Sequence, residues 1–218
     1  MLVREPVPLE DHRLFRLLLT AMAVVAVLKF TIGAEIELFG DEAFYWWESR
    51  SLALAYSDLP FVTALLVATG TAGLGDTVLG VRLLFMLLGS LLPLAVVYLA
   101  RPLVGRRDSL WAGMASLCLP MAATLGLLAI PDVVLIVLCT TLLGVFARAL
   151  RTDQLRFWAL GGVLNALGFC THYRFVVFIA AAGLFLLVTG KGREQWRRPG
   201  LYLDRKSTRL NSSHQIIS

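Results

Sequence analysis

The chain has 218 residues, of which 58% are hydrophobic and 16% charged, with a formal net charge of +5 and a mean hydropathy of +0.75. Soluble domains are far richer in charge, so this balance excludes a water-soluble globular protein and predicts a polytopic membrane protein with no nucleic-acid partner. Cys118, Cys139 and Cys170 all lie in apolar segments away from acidic or histidine neighbours, and argue neither for disulfides nor for a metal site.

Apolar runs suited to membrane-spanning helices occur at 17–33, 78–99, 110–130, 133–150, 157–170 and 175–189. No Ala-x-Ala site follows the first run, which is read as a retained span rather than a signal peptide. The last two runs are short for a span and are expected to tilt, thin the bilayer or form one helix broken around 171–174. A further apolar stretch, 61–75, is weakened by Gly70 and Gly73 and bracketed by Asp58 and Asp76. Only if it does not cross do Arg13, Arg16, Arg101, Arg106, Arg107, Arg148, Arg151, Arg156 and the basic residues at 191–198 share one side. That side is the cytoplasm, where Lys and Arg accumulate, so 61–75 is predicted as an interfacial or re-entrant helix and the N-terminus as cytoplasmic. The expected fold is all-α: a membrane helical bundle with an outer-face loop carrying interfacial helices.

With that topology Glu35, Glu37, Asp41, Glu42, Glu48, Asp58, Asp76, Asp132 and the Thr171-His172-Tyr173-Arg174 turn converge on the outer face. Carboxylates beside lipid are costly, which makes the cluster a candidate site. Asp41 and Glu42 are adjacent and cannot point the same way; one is expected to face the site and the other to serve structure. Asp41 reads equally as a general base or as the N-cap of a helix over 43–54. Asp58 either caps the helix after Pro60 or holds a divalent cation, and Asp132 either opens a helix after Pro131 or points into the cavity of Asp41. His172 and Arg174 suit a phosphate or, alternatively, lipid headgroups. Lys29 and Arg82 are further phosphate or carboxylate partners, each near enough to a helix end to snorkel.

Taken in order, Gly40-Asp41-Glu42-Ala43-Phe44-Tyr45-Trp46, Tyr56-Ser57-Asp58-Leu59-Pro60, Gly80-Val81-Arg82-Leu83, Ile130-Pro131-Asp132 and His172-Tyr173 resemble the polyprenyl-phosphate-sugar glycosyltransferases of the C-type membrane superfamily. This is the bacterial group related to protein O-mannosyltransferases and lipid A aminoarabinose transferase. The resemblance covers about residues 10–203 and corresponds to the N-terminal half of such enzymes.

It implies inverting transfer of a sugar from a polyprenyl phosphate to a hydroxyl of a lipid, glycan or protein acceptor, at the outer face of a bacterial inner membrane, with or without a divalent metal ion. Asp41 matches the catalytic base. Glu42, Tyr45, Asp58, Asp132, His172, Tyr173 and Arg174 match substrate-contacting positions, and Asp58 and Asp132 the metal-holding ones. Leu59 and Phe61 stand where relatives often have His and a second Pro, which bears on metal ligation through that turn, and His172 stands where many have Lys, which makes phosphate binding pH-sensitive unless Arg174 supplies the charge. The competing classes are a transporter or flippase of a lipid-linked anion and a non-catalytic membrane fragment. The polar segment 204–218 resembles a translated sequencing adapter, which leaves 1–203 as a truncated membrane domain.

Overall fold

In the computed structural model, which describes residues 9–190, the chain forms helices α1 (Leu9–Glu35), α2 (Gly40–Ser49), α3 (Val62–Leu74), α4 (Val78–Ser90), α5 (Leu92–Val104), α6 (Arg106–Leu117), α7 (Pro120–Thr124), α8 (Pro131–Thr152), α9 (Leu155–Thr171) and α10 (Phe175–Val188). No strand appears among the described residues. The segment 204–218 and the basic residues at 191–198 lie outside them.

Among the described residues three helical stretches are long and apolar enough to cross a membrane: Glu10–Glu35, Val78–Val104 and Pro131–Thr152. The second is α4 and α5 in sequence, joined through Leu91, where the chain makes a turn just before Pro93. Proline has no amide to give to the preceding turn, which is the physical cause of that break. α8 has 22 residues, about 33 Å at 1.5 Å each, which matches a hydrocarbon core. α1 packs on α4 and α6, α5 on α6 and α8, and α8 on α9, which in turn carries α10.

The basic residues collect at one end. Arg106 and Arg107, opening α6, lie 3.4 Å from Asp11 and Glu10 at the start of α1. At the same end Arg148 donates to the carbonyls of Gly144 and Tyr98, both at 2.8 Å, and its guanidinium lies over the Tyr98 ring, 3.6 Å from the centroid. Arg151 donates to the Pro102 carbonyl.

α3 has both ends at the opposite, carboxylate-rich end. Its start packs beside Tyr45 of α2, and the turn after it is fastened to α2 by Asp76, which accepts from Trp46 Nε1 at 3.0 Å and from Arg50 at 2.9 Å. Gly70, which weakened this stretch as a span, lets α3 lie directly against the Gly80 carbonyl of α4. The run 110–130 is not one span: α6 stops at Leu117, Pro120 opens the single short turn of α7, and 125–130 is a non-helical strap. Pro120, Gly126 and Pro131 mark these breaks in the sequence itself. The last two apolar runs form separate helices hinged at 172–174.

Candidate active site

α2 begins with Phe39 as its N-cap residue, so Asp41 lies in the first turn and is not the cap. The helix closes at Ser49, short of the expected 43–54, and the chain then turns back through a tight loop in which the Tyr56 amide donates to the Leu59 carbonyl at 2.9 Å. The adjacent carboxylates are divided between surface and interior. Asp41 is exposed, whereas Glu42 is wholly buried. Arg82 of α4, equally buried, donates to Glu42 Oε1 at 2.7 Å and to Oε2 at 2.5 Å. The Phe39 amide donates to Oε2 at 3.0 Å and the Ala129 amide of the strap to Oε1 at 2.8 Å. Burial by itself would raise the Glu42 carboxyl, but these donors outweigh it and hold it below the ordinary carboxylate range.

With four donors on two oxygens, Glu42 is buried in the interior and its carboxylate is fully engaged there. Arg82 is committed in the same way, giving its remaining N–H groups to the carbonyls of Gly33, Ile36 and Glu37 at 2.8 to 2.9 Å. Neither Arg82 nor Lys29 snorkels: both side chains are buried, and Lys29 Nζ donates to the Leu125 carbonyl at 2.9 Å.

Asp41, Tyr45 and Glu48 stand at i, i+4 and i+7, one face of α2. Tyr45 belongs to the main apolar core together with Leu59, Val133 and the half-buried Cys170. Those three are close chain neighbours of Asp58, Asp132 and His172, so packing of the apolar members brings the polar ones to one place. The electrostatics records the convergence. Burial first, then the charges of Asp41, Asp58, Glu48 and Asp132, push the Tyr45 hydroxyl up to about 12. Its phenol therefore stays protonated and can donate. Glu48, which the sequence placed on the outer face without a role, is buried behind the exposed Asp58. Burial, the Asp58 charge and a side-chain hydrogen bond with Asp58 push its carboxyl up to about 7. Its Oε2 is buried without a hydrogen-bond partner among the described residues.

His172 closes α9 and is buried, with Tyr173 exposed and tilted across its ring at 4.3 Å between centroids. The Arg174 amide reaches His172 Nδ1 at 3.1 Å and Arg174 Nε reaches Nε2 at 3.0 Å. A neutral imidazole has one acceptor nitrogen, so the two contacts compete, and the amide, fixed by the turn, takes Nδ1. Burial and then the Arg174 charge lower the His172 pKa against the opposing pull of Asp132 and Asp58. The ring is neutral at pH 7, and the cation of this corner is Arg174, exposed and 3.7 Å from Asp132. Among the described residues no three His, Cys, Asp or Glu side chains gather closely enough to hold a metal ion.

Fold and site thus define a multi-pass membrane protein with a cluster of carboxylates around Tyr45, edged by Arg174, at one end of its bundle. Residues 58–206 match the model of the dolichyl-phosphate-mannose-protein mannosyltransferase family, and the chain belongs to that family. Comparison with curated proteins and with solved structures gives no match. Sugar transfer from a polyprenyl-phosphate-linked donor is the family's chemistry, which favours the transferase over a transporter or flippase. The matched span opens at Asp58 and takes in Asp132, His172 and Arg174; Asp41 and the rest of α2 stand ahead of it.

Proposed function

We propose that the protein transfers a sugar from a polyprenyl phosphate to an acceptor hydroxyl with inversion, at the outer face of the membrane. The carrying observation is the gathering of Asp41, Asp58 and Asp132 around Tyr45, with Arg174 beside them. The exposed Asp41 carboxylate takes the proton of the acceptor hydroxyl as its oxygen bonds to the anomeric carbon. The bond from that carbon to the phosphate oxygen breaks at the same time, and its electron pair leaves on the phosphate. Arg174 neutralises the departing phosphate, a role that suits its planar, always charged fork. Asp58 and Asp132 accept hydrogen bonds from sugar hydroxyls, the Tyr45 hydroxyl donates one, and the exposed Tyr173 ring offers a sugar a flat apolar face.

The test is Asp41→Asn in the intact enzyme, assayed with polyprenyl-phosphate mannose. Loss of a general base predicts a fall in turnover of about 10² to 10⁴ with unchanged thermal unfolding. Turnover within threefold of the wild type overturns the assignment.

A further inference from the structure

The strap 125–130 is non-helical backbone between helices of a membrane bundle, where a backbone group without a partner has no water to turn to. Its first residue, Leu125, is buried and presses its carbonyl against Gly89 of α4, where any side chain would collide. The next residue, Gly126, has φ +96° and lies against the Phe85 carbonyl, so glycine alone serves there. Ala129, wholly buried, gives its amide to Glu42 at 2.8 Å. Pro131 and Asp132 follow at once.

What holds the near end of the strap is Lys29. It sits about six residues short of the end of α1, roughly 9 Å down the helix at 1.5 Å per residue. Its ammonium donates to the Leu125 carbonyl at 2.9 Å, and among the described residues it forms no ion pair with a carboxylate. A charged side chain at that depth is retained at a cost, and a long flexible stem is what reaches a carbonyl on the far side of the groove.

We propose that Lys29 is a positioning residue: by anchoring the Leu125 carbonyl it fixes the strap whose far end aims Asp132 at Arg174 and the sugar. Lys29 and Glu42 then act as the two fastenings of one segment, one at each end, with Asp132 just beyond the second. The inference rests on the reading of Asp132 as a substrate contact.

The experiment uses the intact enzyme with Lys29→Met, which removes the donor and keeps the stem, and Lys29→Arg, which restores a donor of similar reach. Amide hydrogen exchange comes first, because it does not depend on activity. Exchange at 125–130 is expected to rise about tenfold in Lys29→Met, the factor an ordinary hydrogen bond is worth, with α1 and α8 still protected. Kinetics with polyprenyl-phosphate mannose follow in a double-mutant cycle with Asp132→Asn. Lys29→Met is expected to raise KM about tenfold against wild type, to add nothing in the Asp132→Asn background, and to be rescued by Lys29→Arg. Unchanged exchange in the strap overturns the anchoring. Fully additive effects, or an Asp132→Asn enzyme indistinguishable from wild type, overturn the link to the sugar; failure of the base assignment shows separately in Asp41→Asn. Should Lys29→Met not fold, Lys29→Gln, which keeps a donor but is shorter, carries the same comparisons in milder form.

Discussion

Behind Asp58, the Glu48 carboxyl is buried where its ionised form meets a second negative charge, and its native pKa of about 7 stands above the ordinary 4.5. Below about pH 4.5 the group is protonated folded and unfolded alike and contributes nothing to the pH dependence. Between the two values the folded chain binds the proton more tightly, so stability falls as pH rises, and above 7 the whole penalty is present. At 1.36 kcal/mol per unit this amounts to at most about 3 kcal/mol. Chemical unfolding in detergent at pH 5 and pH 8 is expected to show the wild type weaker at the higher pH. Glu48→Gln, which cannot ionise and can still donate to Asp58, is expected to lose most of that difference; an equal pH dependence in both proteins would refute the account. Glu42, by contrast, is held below the ordinary range by its donors, so its contribution persists through neutral pH and is lost only in acid. Nothing in the residue pattern separates these two glutamates, since each sits in the same short helix among aromatics. Their opposite states come from what other elements bring to them: an arginine and two amides in one case, an aspartate in the other.

Elements are joined at this end of the bundle through Arg82, which touches the end of α1, the α1–α2 link and Glu42, whose other oxygen contacts reach the strap. Removing one partner of a buried ion pair leaves the other charged and unpaired, and here it also strips three carbonyls of their donor. Arg82→Met is therefore expected to destabilise the protein by about 3 to 5 kcal/mol or to prevent its accumulation, as read by thermal unfolding in detergent. Arg82→Lys is expected to rescue little, because an ammonium cannot serve three carbonyls and both carboxylate oxygens at once. Losses under about 1 kcal/mol for either variant would mean the contacts are not structural. The sequence displayed the helices themselves well, because apolar length is a local property. It also showed 61–75 as a helix too short for an ordinary span, and the structure gives it 13 residues, Val62–Leu74. The strap was hidden by its composition: Leu127, Leu128, Ala129 and Ile130 continue the apolar run, and only Pro120 and Gly126 mark where the helix ends.

For the whole molecule, the clustering of Arg106, Arg107, Arg148 and Arg151 with the start of α1 gives the bundle one basic end and one acidic end. We expect the basic end to face the cytoplasm. Single cysteines at Ser57 and Thr152 in an otherwise cysteine-free chain are expected to react with a membrane-impermeant thiol reagent from opposite sides, Ser57 from outside intact cells. Labelling of Thr152 alone from outside would invert the topology and with it the outer-face assignment of the site.

By itself the sequence determined the class of protein, the helices, the side on which charges collect and the candidate residues at 41, 58, 132 and 172–174, because hydropathy, charge and turn chemistry act over a few neighbouring positions. Only the tertiary structure decided which carboxylate stays at the surface and which is locked inside, that Glu48 stands behind Asp58, that Lys29 and Arg82 are buried and bonded to backbone carbonyls, and that His172 leaves the positive charge to Arg174. The two anchors depend on partners far apart in the chain, 42 with 82 and 29 with 125, whereas the Glu48–Asp58 and His172–Arg174 contacts are local in sequence and take their character from burial. A side chain's protonation, burial and hydrogen bonds follow from what packing places beside it, and packing is settled by the bundle as a whole.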